Sequence, residues 1–123
     1  MNFLAVFAGG GLGALTRYLL GLMLPKGVFY LPLATLTANF LGCFFASAFF
    51  SYFVLKSDVN SIYKLLLITG FCGGLSTLSA LSLEVMEYIN TGDYTRAFVY
   101  IFTSLSICVI SVILGIVLVR KYV

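Results

Sequence analysis

Thr69-Gly70-Phe71-Cys72-Gly73-Gly74-Leu75-Ser76-Thr77-Leu78-Ser79 sets three glycines and four hydroxyl side chains inside an apolar run from about Tyr63 to Asn90. That run is long enough to cross a bilayer as a helix. Each glycine costs roughly 1 kcal/mol against alanine in a helix interior. The stretch therefore predicts a helix that loosens near mid-membrane. Loosened backbone leaves N–H and C=O groups without helical partners, and hydrocarbon tolerates this only where protein, water or a bound ion satisfies them. The stretch is a candidate ion site within a membrane span.

The rest of the chain supports a membrane setting. Of its 123 residues 62% are hydrophobic and only 9% charged, with mean hydropathy +1.14. A soluble domain of this size carries far more charge on its surface. Four spans account for nearly the whole length, at about 2–24, 30–55, 63–90 and 94–119. They imply one all-α integral membrane domain over 1–123, with the third of four helices broken. The start, Met1-Asn2-Phe3-Leu4, lacks the basic region of a signal peptide, so the first segment reads as retained. Pro25-Lys26-Gly27 and Lys56-Ser57-Asp58-Val59-Asn60-Ser61 read as loops, and Pro32 falls near the first turn of span two.

Charge narrows the function less than it narrows the setting. The net charge of +3 gives no argument for nucleic acid, because Lys56, Lys64, Arg120 and Lys121 fall at span ends, where they meet headgroups. Lys26, Arg96 and Arg17 fall toward the opposite side. Four against three is almost no positive-inside bias, so the orientation stays open. Cys43, Cys72 and Cys108 all lie in apolar segments and read as small packing residues rather than a disulfide frame. With no histidine and widely spaced cysteines there is no zinc pattern. No hydroxyl has an evident base beside it in sequence, so nothing here reads as an enzyme.

Gly9-Gly10-Gly11-Leu12-Gly13-Ala14 lacks the preceding strand and following acid of a dinucleotide site. Gly9 and Gly13, and separately Ala38, Gly42 and Ala46, instead mark small-residue faces for close helix contact. Arg17 either snorkels to the interface or places a fixed positive charge at a pore mouth. Asn39, with Thr35 one turn before it, either ties helices together or lines a watery path. Tyr100, Ser104 and Cys108 share one face of span four, followed by Ser111. They either bond their own backbone or form a ladder of donors suited to a small anion. Glu84 is either a buried functional carboxylate or a packing contact.

Taken together, Gly9 to Tyr18, Thr35-Leu36-Thr37-Ala38-Asn39-Phe40-Leu41-Gly42 and Gly70 to Thr77 resemble the Fluc (CrcB-like) fluoride channel family over essentially the full chain. The resemblance implies fluoride export across the plasma membrane of a bacterium by a multi-pass protein. It implies an antiparallel, dual-topology dimer with two pores. It also implies a structural sodium ion (Na+) at the dimer interface, with the backbone carbonyls of Gly73 and Ser76 as this chain's ligands. Asn39, Thr35, Tyr100, Ser104 and Ser79 would line the anion path, and Arg17 and Glu84 match positions near the entrance and beyond the break.

One departure stands out. The family pattern after the break reads Thr-Thr-Phe-Ser-Thr-Phe-Ser, and this chain reads Ser76-Thr77-Leu78-Ser79-Ala80-Leu81-Ser82. Leu78 and Leu81 replace phenylalanines that, in the family, face the permeating ion with their positive ring edges. Either the swap is tolerated, or the chain pairs with a phenylalanine-bearing homologue as a heterodimer. A non-conducting assembly or regulatory subunit is the alternative. A small multidrug exporter would need an acid in span one, where Arg17 is the only ionisable side chain.

Overall fold

Among the described residues, four helical stretches are long and apolar enough to cross a membrane: Asn2–Met23, Leu33–Leu55, Ser61–Asn90 and Tyr94–Tyr122. At about 1.5 Å per residue, the 22 residues of the first reach roughly 33 Å, the thickness of a hydrocarbon core. The computed structural model describes residues 1–24, 31–56 and 59–123, and the regular elements in them are helices. The expected turn at Pro25-Lys26-Gly27, the expected start of span two at Tyr30, and Ser57 and Asp58 lie outside the described residues.

The first stretch is α1 (Asn2–Met23) and the second α2 (Leu33–Leu55). Pro32 sits just outside α2 as its N-cap, where its fixed φ of −70° and missing N–H cost nothing. The third stretch is composite. It starts as α3 (Ser61–Lys64), capped by the Asn60 side chain accepting from the Ile62 N–H, and continues as a π-helical segment, Leu65–Cys72. A short α4 (Gly73–Leu75) follows, then Ser76 and Thr77 with extended backbone, then α5 (Leu78–Asn90). Gly92, at φ 77°, turns the chain in the left-handed region open to glycine. Its N–H reaches the Ile89 carbonyl while Asp93 N–H reaches Tyr88, a Schellman closure. Asp93 then caps α6 (Tyr94–Tyr122) by accepting from the Arg96 N–H, and also pairs with the Arg96 guanidinium at 2.9 Å.

Lipid offers no hydrophobic drive for helices to associate, so close packing and interhelical hydrogen bonds hold the bundle. α1 lies along the π-helical segment and α4, and α6 lies along α2. The α1 contact is backbone on backbone. A Cβ at Gly13 would fall on the Phe71 carbonyl, and one at Gly74 would come within 3.0 Å of the Gly10 Cα. Backbone cannot swing aside as a side chain can, so this approach requires glycine. In α2, Ala38 is fully buried and Gly42 abuts Ser76, so the second small-residue face meets the third stretch where its backbone is extended. Along α6, the Ser111 hydroxyl donates to the Phe40 carbonyl of α2 at 2.5 Å. Leu36, Leu81, Val85, Ala97 and Tyr100 form the apolar core between α2, α5 and α6.

Candidate functional site

One group of buried polar residues lies where Ser76 and Thr77 leave the helix. Thr77 has φ −152° and ψ 115°, so neither its N–H nor its C=O points along a helix axis. Asn39 on α2 takes up both. Its Oδ1 accepts from the Thr77 N–H at 2.6 Å, and its Nδ2 donates to the Thr77 carbonyl at 3.2 Å. A carboxamide is one of the few side chains that can answer a donor and an acceptor on the same residue. Both residues are buried, at 7% and 6% exposed, so the pair replaces bonds that water cannot supply.

This bracket has a consequence for two carbonyls. In an uninterrupted α-helix the Gly73 carbonyl would accept from the Thr77 N–H, which here goes to Asn39. The Ser76 carbonyl would accept from the Ala80 N–H, which goes to the Thr77 hydroxyl at 3.1 Å as the cap of α5. So the carbonyls of Gly73 and Ser76 are among those whose helical donors are diverted at this interruption. Gly73 is exposed and Ser76 is half-buried. Backbone oxygens freed in this way are the hard donors that a hard cation takes.

The glycines themselves play a different part from the one their helix propensity suggested. Gly70 is π-helical and Gly73 and Gly74 are α-helical, and the extended residues come after them. Gly70 and Gly74 admit α1, while Asn39 and the Thr77 cap hold the interruption open.

A second polar knot lies on α5 and α6. Glu84 accepts from the Thr35 hydroxyl at 2.7 Å through Oε1, and from the Tyr100 hydroxyl at 2.5 Å through Oε2. One carboxylate thus ties three helices through two charge-assisted bonds. Tyr100 is fully buried, with the Tyr88 ring edge-on at 6.1 Å. Exchanging Glu84 for Ala should cost about 1–3 kcal/mol of stability by leaving two hydroxyls to find new partners. Glu84→Gln should cost less than half as much, because rotatable hydroxyls can accept from the new amide. Thermal unfolding of the detergent-solubilised variants distinguishes the two.

Next along α6, Ser104 is 2% exposed and its hydroxyl has no hydrogen-bond partner among the described residues. A serine in a membrane helix usually bonds back to its own turn, as Ser47 does here to Phe44. Ser104 does not, and keeps a free O–H between Tyr100 and Cys108. Ser79 is exposed, with its hydroxyl 3.1 Å from that of Thr77. Arg17 is half-buried on α1, and no hydrogen bond or ion pair among the described residues joins it to this cluster.

The two leucines, read together in the sequence, have different surroundings. Leu78 is 73% exposed, whereas Leu81 is 9% exposed and packs in the core with Tyr100. Thr77, bracketed by Asn39, is the member of this cluster that sequence reasoning did not single out. A threonine three residues before Ala80 is a possible helix cap, but no glutamate completes the capping box and so nothing in the sequence marked it.

The polar cluster falls within a region shared with known proteins. The model of the CrcB-like protein family, Camphor Resistance (CrcB), matches residues 4–116. A fluoride-specific ion channel FluC from Hydrogenobaculum sp. (strain Y04AAS1) is 46% identical over 101 residues, covering 82% of this chain and 83% of that protein. The protein of the same name from Escherichia coli (strain K12) is 39% identical over 102 residues, covering 83% and 80%. Fluoride-specific ion channel FluC 1 of Yersinia pseudotuberculosis is 41% identical over 96 residues, covering 78% and 76%. With a match over nearly its whole length and relatives this similar, the chain belongs to the CrcB-like family, a family of ion channels and not of enzymes.

Proposed function

We propose that this chain is a subunit of a fluoride-selective passive channel that empties fluoride from a bacterial cytoplasm across the plasma membrane. The named relatives carry the identity of the ion. Within the structure, the observation that carries the reading is the buried, unpartnered Ser104 hydroxyl on the Tyr100–Ser104–Cys108 face. A dehydrated fluoride ion needs N–H and O–H donors along its path, and an O–H kept free of the backbone is such a donor. Asn39 adds one more, because the Thr77 bracket uses only one of its two amide hydrogens. Flow driven by the membrane potential needs no ATP or redox cofactor.

In this reading two subunits insert antiparallel and the interruption at Ser76 and Thr77 lies at mid-membrane. The freed carbonyls of Gly73 and Ser76 fit a sodium ion shared between the subunits: they are hard oxygen donors without their helical partners. When bound, that ion supplies a fixed positive charge near the anion path. Arg17 adds positive charge nearer the mouth of the path. Because Leu78 and Leu81 stand in place of phenylalanines, the working assembly pairs this chain with a phenylalanine-bearing homologue. This chain contributes Asn39, Thr35, Tyr100 and Ser104, and the partner contributes the aromatic edges.

The same leucines favour a second reading, a subunit that assembles without conducting. Fluoride-electrode recordings of efflux from liposomes decide between them. The chain alone is expected to conduct weakly, and co-expression with a phenylalanine-bearing homologue to raise the rate at least about tenfold, equivalent to about 1.4 kcal/mol. Fast efflux by the pure chain would remove the need for a partner. No efflux in either preparation would leave the assembly role.

A further inference from the structure

α2 and α6 run in the same direction, so both end on one side of the bundle. The Ser111 hydroxyl bonds the Phe40 carbonyl, and a Cβ at Gly115, one turn further, would lie 2.6 Å from the Phe44 carbonyl. In that parallel register Arg120 stands level with Phe49, about six residues or roughly 9 Å short of the Leu55 end of α2. Near this level a cleft of about 100 Å³ is lined by Phe50, Ser51, Val54, Leu55, Ile116 and Arg120. Its walls are apolar apart from the Arg120 guanidinium and the Ser51 hydroxyl. Ser51 is 7% exposed, yet its hydroxyl makes no hydrogen bond among the described residues, unlike that of Ser47 one turn earlier. Arg120 likewise has no carboxylate or hydrogen-bond partner among them.

We propose that this cleft binds the headgroup phosphate of an anionic phospholipid. The planar guanidinium pairs with two phosphate oxygens, and the Ser51 hydroxyl donates to the headgroup. The cleft has room for about three waters' worth of atoms, which suits a phosphate and excludes acyl chains. Those run toward mid-membrane over Ile113, two turns from Arg120 on the same face of α6 and 54% exposed. Charge selects the headgroup. Lys56, Lys64 and Lys121 lie on this side with Arg120, whereas the described acids, Glu84, Glu87 and Asp93, lie toward the other, on α5 and the turn after it. Two helix C-termini add partial negative charge here, about half an elementary charge each, and the basic side chains outweigh it. Basic pockets between membrane helices take anionic headgroups for this reason. A zwitterionic headgroup brings its own cation against Arg120, and free phosphate has no chain to seat along Ile113.

Native mass spectrometry of the full-length chain tests the site, from detergent micelles doped equally with dioleoyl phosphatidylglycerol and dioleoyl phosphatidylcholine. The chain is expected to retain one phosphatidylglycerol per subunit and little phosphatidylcholine. Arg120→Gln should cut that retention about tenfold, and Arg120→Lys, which keeps the charge but not the paired contact, about threefold. Lys121→Gln should change it less than about twofold, because the Lys121 ammonium lies over the Tyr122 ring and outside the cleft. Arg120 is exposed, so Arg120→Gln should melt like the unmodified chain in detergent without added lipid, which excludes misfolding as the cause. A large excess of inorganic phosphate should leave the lipid in place. Equal retention of the two lipids, equal losses in Arg120→Gln and Lys121→Gln, or displacement by inorganic phosphate would overturn the proposal. These binding results do not depend on which ion the channel passes.

Discussion

Replacing Asn39 with leucine is expected to cost about 2–4 kcal/mol of stability and to cut fluoride efflux at least about tenfold. Leucine fills the space but leaves the Thr77 N–H and C=O buried without the partners that now lie at 2.6 and 3.2 Å. The chain can respond in two ways, and both stop flow. The interruption can close, returning the Thr77 N–H to the Gly73 carbonyl and removing that oxygen from the proposed cation. Or α2 can draw away and disturb the small-residue contact of Gly42 with Ser76. Asn39→Asp keeps an acceptor for the Thr77 N–H but sets its second oxygen against the Thr77 carbonyl. It also buries an unpaired charge, so it should be no more stable than the leucine variant and conduct no better. Thermal unfolding and liposome efflux measured on the same preparations check this. A leucine variant that conducts and unfolds like the unmodified chain would refute the bracket's importance.

Several parts of this arrangement could be read from residue order, for identifiable reasons. A four-residue glycine spacing on an apolar helix has one economical use, close helix contact, and Gly9 and Gly13 have that use against the third stretch. Span lengths and the Asn90-Thr91-Gly92-Asp93 turn follow from hydropathy and from the φ tolerance of glycine. The stripe of Tyr100 and Ser104 was visible because helical periodicity is local. What sequence could not supply was pairing across helices. Asn39 and Thr77 are 38 residues apart, and Thr35 and Glu84 are 49 apart. Nothing local says that an amide will take a backbone N–H from its helical acceptor. Glycine propensity consequently drew attention to Gly70, Gly73 and Gly74, whereas the backbone departs from the helix at Ser76 and Thr77. The π-helical turn at Leu65–Cys72 had no signal in the sequence either. Side-chain facing near a helix start was equally hidden, so Leu78 and Leu81 looked equivalent.

Their difference in burial makes the aromatic question more specific. Leu78→Phe is expected to raise efflux by the chain alone roughly three- to tenfold, in line with about 0.5–1.5 kcal/mol for a well-placed aromatic edge. Leu78 is 73% exposed at the start of α5, so a ring there displaces nothing within the subunit and faces whatever lies across from it. Leu81→Phe differs because Leu81 sits among Leu36, Val85, Ala97 and Tyr100. A larger ring there overpacks the core, at about 1–3 kcal/mol. The displaced neighbour is Tyr100, whose hydroxyl is held by Glu84. Leu81→Phe alone should thus lower stability and fail to raise efflux, and the double variant should conduct no better than Leu78→Phe. If the double variant conducts far better than either single change, the two positions act as one aromatic pair and Leu81 reaches the path despite its burial. If Leu78→Phe folds normally and none of the variants conducts alone, aromatic loss is not what limits this chain. The subunit then serves assembly, and flux belongs to its partner's side of the dimer.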